Sequence, residues 1–201
     1  MNLQHWNYFL ALCDDTVGAS RYVEFHAENF KTYSIEFARL YLASGSEVDV
    51  VAKQLCLKCD AASKADNINA YRATILAKFP DLPCVRVDLP RFVISLTPWK
   101  DWATTGQNPF WWHCYNEVKH KRDVHFQKAN LENTLNALAG LYVLLTYLYG
   151  NELATEGFIP MPTLFRFDLK YLAVSRGVAD MSFTLPGMTK PIFPWTAKHK
   201  P

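Results

Sequence analysis

The sequence has little of what marks an exported or membrane-spanning protein. Its first residues carry neither the basic start nor the apolar run of a signal peptide. The most apolar stretch, from Leu135 to Tyr149, covers about 15 residues, whereas a helix that spans a bilayer needs about 20. We therefore expect a cytoplasmic protein without membrane contact, in which this stretch is a buried core helix.

Disulfides, strong net charge and the common catalytic motifs are also missing. The five cysteines are an odd number without framework spacing, so we expect reduced thiols. The formal net charge is only +2, so nucleic-acid binding would need a local cluster of cations. There is no glycine-rich phosphate loop, no G-x-S-x-G elbow and no H-E-x-x-H pair, which excludes the commonest signatures of nucleotide, esterase and zinc-protease sites.

What is present favours a helical core. Half of the 201 residues are apolar, and apolar positions recur with helical periodicity over 29–59, 66–79, 110–121 and 130–149. Alternating segments bounded by prolines favour short strands. The sequence predicts one mainly α domain over 1–201, a helical bundle with its core at about 28–150. It also predicts a small β appendage from 80–100 and 160–185, and an extended, proline-rich segment over 158–201.

Several boundaries depend on small residues. Residues 3–25 contain a Gly-Ala-Ser break at 18–20, which favours an irregular segment or a short strand at the start of the fold. Gly45 and Ser46 interrupt the pattern of 29–59, and Ser46 before two acids is typical of a new helix N-terminus, so two helices or one kinked helix both fit. Asn130 is predicted to cap the apolar helix, and Gly150-Asn151 to close it.

The segment from Trp111 to Arg122 is the richest in chemistry. On a helix, one side carries Trp112, Asn116, Lys119, His120 and Asp123. Such a stripe suits phosphodiester chemistry, because histidine moves a proton near neutral pH and cations hold phosphate charge. The simpler interpretation is a helix whose aromatic residues pack inward while its cations are solvated, and spacing alone favours it.

The motif Tyr-Asn-Glu-Val-Lys-His at 115–120, followed by a long apolar helix, resembles the signature region of the HEPN (higher eukaryotes and prokaryotes nucleotide-binding) superfamily. The resemblance implies a helical bundle, often dimeric. Many members are metal-independent ribonucleases with an Arg, a polar residue, three variable residues and a His. Asn116 matches the polar position and His120 matches the histidine. Tyr115 stands in the arginine position, so the motif is degenerate.

This resemblance gives the candidate residues their roles. His120 would be the general acid and base, and Asn116 would orient it or the 2′-hydroxyl of RNA. Arg122, seven residues after Tyr115 and so about two helical turns further, would stabilise phosphate charge from nearly the same stripe. A homodimer would place two copies of the segment across one cleft, with no metal or cofactor. The residues expected to contact RNA are Lys119, Tyr115, Trp112, Glu47 and Asp49.

A second hypothesis is a catalytically degenerate HEPN-like module that binds nucleic acid or a protein partner without enzyme activity, which Tyr115 favours. For Glu47 and Asp49, the simpler interpretation is that they complement the dipole at the start of a helix, with Asp49 and Lys53 as a surface pair. The aromatic residues around Trp111 are more often core than a stacking platform.

Metal binding is the third hypothesis. Its ligands would come from His113, His120 and His125 with Glu47 and Asp49. Spacings of seven and five residues do not bring three histidines together on one straight helix, which disfavours the site. A single CxxC at Cys56 and Cys59 lacks the second ligand pair of a structural zinc site, so we expect two partly buried thiols.

Overall fold

A computed structural model describes residues 3–156, 160–174 and 181–192. Helices dominate them and a small antiparallel sheet lies beside the helices, as the sequence predicted. The helices are α1 (Gln4–Ala19), α2 (Ile35–Cys59), α3 (Ile68–Lys78), α4 (Phe110–His120), α5 (Arg122–His125) and α6 (Leu131–Glu156). The strands are β1 (Val87–Leu89), β2 (Ile94–Leu96), β3 (Arg166–Phe167), β4 (Leu172–Val174) and β5 (Met181–Phe183).

Helix α1 replaces the irregular segment or short strand predicted for residues 3–25, and that prediction was wrong. Trp6, Phe9, Leu12 and Cys13 are three or four residues apart, so they form one buried stripe. Gly18 lies in the last turn of α1 and does not interrupt the helix. The helical core therefore begins near residue 4 and not near 28. The Trp6 indole donates a hydrogen bond to the carbonyl of Pro160 at 3.0 Å, which ties α1 to the C-terminal part of the chain.

Helix α2 is one continuous helix through Gly45 and Ser46. Its N-cap is Ser34, whose hydroxyl accepts a hydrogen bond from the backbone N–H of Phe37 at 3.0 Å. The alternative of two helices, with a new N-terminus at Ser46, is therefore wrong.

Helix α6 is the centre of the core, and nearly all of its residues from 131 to 149 are buried. Asn130 caps it as predicted, because its Oδ1 accepts from the N–H of Asn133 at 3.0 Å. The helix continues past Gly150 to Glu156, so Gly150-Asn151 does not close it. Among the described residues, no helix is both long and apolar enough to cross a membrane.

Helices α2 and α6 run side by side in the same direction. The hydroxyl of Thr134 donates to the carbonyl of Phe37 near their beginnings, and the amine of Lys58 donates to the carbonyl of Leu148 near their ends. Helix α4 packs against both of these helices through the rings of Tyr115 and Trp111.

The predicted β appendage is confirmed, and its two segments join in one sheet with the strand order β2-β1-β3. Both pairings of the central strand β1 are antiparallel, with Val87 opposite Leu96 on one side and Phe167 on the other. Strands β4 and β5 form a separate antiparallel pair. The rest of the predicted extended segment, at 158–159, 175–180 and 193–201, lies outside the described residues.

Two glycines let α4 approach the core closely. A Cβ atom added at Gly45 of α2 would lie 2.3 Å from Cδ2 of Tyr115, and one added at Gly140 of α6 would lie 3.0 Å from Cζ2 of Trp111. Both rings therefore rest on the backbones of the neighbouring helices. This close approach explains a glycine inside α2, where it costs about 1 kcal/mol relative to alanine.

We predict that Gly45→Ala lowers the free energy of unfolding by about 2 kcal/mol, because the new methyl group displaces the Tyr115 ring from a packed interior. Gly18→Ala is the matched control: no atom lies within 4 Å of its added Cβ, so it should stabilise the protein by up to about 1 kcal/mol. Urea unfolding measures both. In a Tyr115→Ala background the cost of Gly45→Ala should vanish, and an unchanged cost there would contradict the contact.

Candidate nucleic-acid interface

Helix α4 is held at its first turn and along its inner face. The backbone N–H of Phe110 donates to the Asp101 carboxylate at 2.9 Å, which satisfies one of the free donors of the first turn. The indole of Trp111 donates to the carbonyl of Pro98 at 2.7 Å, and the hydroxyl of Tyr41 donates to the carbonyl of Trp111. These bonds fix which side of α4 faces the core.

The core side of α4 includes two of the residues expected to contact RNA. Trp112 and Tyr115 are only 7% and 3% exposed, so neither ring offers a stacking surface. Burial and the nearby Asp49 carboxylate raise the pKa of the Tyr115 phenol. The aromatic residues of this segment are therefore core residues, as the simpler interpretation held.

Helix α4 ends at His120, and Arg122 begins the separate short helix α5. Lys121 lies between them with φ −143° and ψ 52°, outside helical geometry. The expectation that Arg122 continues the stripe of Tyr115 two turns further along one helix is therefore wrong. The chain turns a corner between the imidazole and the guanidinium.

Six consecutive residues, 119–124, are exposed at this turn, and we name the first four the cationic corner: Lys119, His120, Lys121 and Arg122. The exposed acid Asp123 follows them and forms no ion pair with them among the described residues. None of the four makes a side-chain hydrogen bond or ion pair within the described residues. The amine of Lys119 lies 5.6 Å from the centroid of the Tyr115 ring. Lys119 and His120 also complement the dipole of the last turn of α4, but the other two lie beyond that helix.

Asn116 does not orient His120 in this structure. Its side-chain nitrogen donates to the backbone carbonyl of Trp112 one turn earlier, at 3.0 Å. Among the residues that the structure describes, none fixes the orientation of the His120 imidazole by a hydrogen bond, whereas a general acid or base must be held within hydrogen-bond reach of the proton that it moves.

Glu47 and Asp49 of α2 face opposite ways, because residues two apart on a helix differ by about 200°. Oε1 of Glu47 lies 2.5 Å from Nδ1 of the buried His5 in α1. Asp49 accepts from the hydroxyl of Tyr71 at 2.8 Å and pairs with Lys53, as the simpler interpretation held. Asp49 therefore lies on the flank near Tyr115, whereas Glu47 lies on the side of α1, away from that flank.

Sequence reasoning missed a cluster of charged residues around Glu117. Its carboxylate lies 2.5 Å from the amine of Lys128, 3.6 Å from Nε2 of His113 and 3.9 Å from Nε2 of His125. The hydrogen bond from Lys128, followed by the charges of Lys128 and the two histidines, holds the pKa of Glu117 below its ordinary value. The spacing of His113 and Glu117 could have shown one of these pairs, but the turn at the corner brings in the other two partners.

The proposed metal ligands do not assemble. His113 and His125 meet at Glu117, whereas His120 points to solvent at the corner. In the ranges that the structure covers, no three His, Cys, Asp or Glu side chains are arranged to hold a metal ion.

The cysteines of the CxxC motif are buried or half-buried free thiols, as expected. Burial raises the pKa of Cys56 to about 11 and also raises that of Cys59. Raised pKa values keep both thiols protonated near neutral pH, which disfavours a redox role for the pair.

No family model, no curated protein and no solved structure matches this chain. The HEPN resemblance therefore stays a prediction, carried by Asn116 and His120 of the motif and by the long apolar helix that follows.

We predict that Glu117→Gln destabilises the protein at pH 7 and that the difference disappears in acid. A carboxylate with a lowered folded pKa contributes stability above its ordinary value of 4.5, and this contribution is lost as the pH falls through the folded pKa. The midpoints of urea unfolding at pH 7 and pH 3 measure the stability difference between the wild type and Glu117→Gln. Glu28→Gln, at an acid whose side chain is 88% exposed, is the control and should change neither midpoint. An equal loss for Glu117→Gln at both pH values would contradict the ion-pair cluster.

Proposed function

We propose that this chain is a HEPN-like protein that binds RNA through backbone phosphates at the cationic corner and acts as an accessory protein without cleaving it. The supporting observation is the exposure of Lys119, Lys121 and Arg122 with no acid of the described chain paired to them. Cations that are not neutralised internally can replace the counterions of a polynucleotide, and the release of those counterions favours binding.

The same geometry favours binding over catalysis. A buried Tyr115 occupies the position of the motif's arginine, and His120 has no orienting partner in the part of the chain that the structure describes. Because the rings of Trp111, Trp112 and Tyr115 are in the core, they cannot stack on bases, so recognition rests on phosphate charge. We therefore expect weak, salt-sensitive binding with little preference for sequence.

Three phosphate contacts on a single strand give an expected slope of about −2 for log K against log salt concentration. Fluorescence anisotropy with a labelled ten-nucleotide oligouridylate measures it. The variant Lys119→Gln/Lys121→Gln/Arg122→Gln should lose most of the affinity and most of the slope. The control Arg21→Gln/Lys64→Gln/Lys100→Gln removes the same charge from exposed positions elsewhere and should keep both. An equal loss in the control would contradict a local interface.

A metal-independent ribonuclease in a homodimer is the second candidate. It is favoured by the exposure of both His120 and Arg122 at one corner, where a second subunit could complete a cleft. His120 would then act as general acid and base, with Arg122 stabilising the phosphate charge.

For this candidate we predict cleavage of single-stranded RNA in the presence of EDTA that His120→Ala abolishes, from a protein that sediments as a dimer. Cleavage that persists in His120→Ala would remove this residue from catalysis. If the wild-type protein cleaves no RNA, this candidate is contradicted and the binding proposal is unaffected. Tyr115→Arg is unsuitable as a gain-of-function test, because it would force a guanidinium against the backbone of Gly45.

A further inference from the structure

A cavity of about 300 Å³ lies away from the cationic corner, and none of its lining residues belongs to α4 or α5. Its walls are the last turns of α2 and α3, the 147–150 turn of α6 and residues 187–190. Cavities of this size are at the lower end of those that bind small molecules in proteins.

Part of the cavity wall is apolar. The rings of Phe79 and Tyr147 lie 4.6 Å apart, and Met188 lies beside them. The hydroxyl of Tyr147 already donates to the carbonyl of Pro186 at 2.8 Å, so its ring is the part left for a ligand. Gly187 adopts a left-handed φ of 79°, and an added Cβ there would lie 3.1 Å from Cδ1 of Phe79. A glycine is therefore needed for the 186–190 turn to close against the end of α3.

The rest of the lining is cationic. Lys58, Lys78 and Lys190 line the cavity, and none of its ten lining residues is acidic. Lys78 and Lys190 are exposed and make no ion pair within the described residues. The charges on Lys58 and Lys78 also offset the C-terminal dipole ends of α2 and α3.

The helix dipoles do not cancel this positive charge. Each helix C-terminus is equivalent to about half a negative charge. Lys78 and Lys190 alone bring two full positive charges, and Lys190 lies in no helix. One acid lies near this wall, since burial, helped by the Asp81 carboxylate, raises the pKa of Tyr147. The amines of Lys78 and Lys190 are therefore the charged groups of the lining that an anion would meet beside the apolar wall.

We propose that this cavity binds a small organic anion, with a carboxylate, sulfonate or phosphate group held by Lys78 and Lys190 and an apolar or aromatic body against Phe79, Tyr147 and Met188. This site is independent of the proposed RNA interface, since the two share no residue.

The probe for the test is naphthalene-2-sulfonate, added to the full chain. Cys59 lines the cavity and is half-buried, so an occupant should slow its alkylation by iodoacetamide. Peptide mass spectrometry reads the modification of Cys59 and, as an internal control, of the exposed Cys84 outside the cavity. Titration calorimetry gives the affinity.

We expect the probe to slow alkylation of Cys59 at least fivefold and to leave Cys84 unchanged. Lys78→Gln/Lys190→Gln should weaken binding about tenfold, whereas the control Lys64→Gln/Lys100→Gln should not. Gly150→Leu should abolish binding by filling the cavity while its helix, followed by circular dichroism, persists. Equal affinity for neutral 2-naphthol, equal protection by inorganic sulfate alone, or unchanged binding to Lys78→Gln/Lys190→Gln would each overturn the proposal.

Discussion

The contact between the Tyr115 ring and the backbone of Gly45 determines how the 111–122 segment is presented. Together with Trp111 on Gly140, it sets two aromatic rings of α4 directly on α2 and α6. Such contacts are specific, because neither glycine can gain a side chain without moving a ring. The orientation of α4, the burial of its aromatic residues and the exposure of its C-terminal end all follow from them.

The chemistry open to the chain follows from the same constraint. Because the inner face of α4 packs against the core, the cations of the 111–122 segment that reach solvent without an ion pair among the described residues lie at the turn after Val118. The ion pairs around Glu117 hold the following residues back against α4, so that Lys128 is neutralised while the cationic corner is not. Phosphate contacts need exposed, unpaired cations, whereas acid–base catalysis needs an oriented imidazole, and no described residue orients that of His120.

Sequence periodicity predicted the helices where the apolar spacing was regular. It succeeded for α3, α4 and the start of α6, where Asn130 is a side-chain cap. It failed at α1, because glycine near its end was given more weight than the buried stripe of Trp6, Phe9 and Leu12. It also failed at Ser46, because local capping chemistry cannot show that Gly45 makes room for the ring of Tyr115, 70 residues away in the sequence.

The three-stranded sheet and helix α1 both need contacts with residues far along the sequence. Strand β1 is completed by β3, and Trp6 finds its hydrogen-bond acceptor at Pro160. During synthesis, both must wait until residues 160–167 have left the ribosome, so this edge of β1 stays open while the residues between β1 and β3 are made. Pro90, directly after β1, limits how far another chain could pair along that open edge in the meantime.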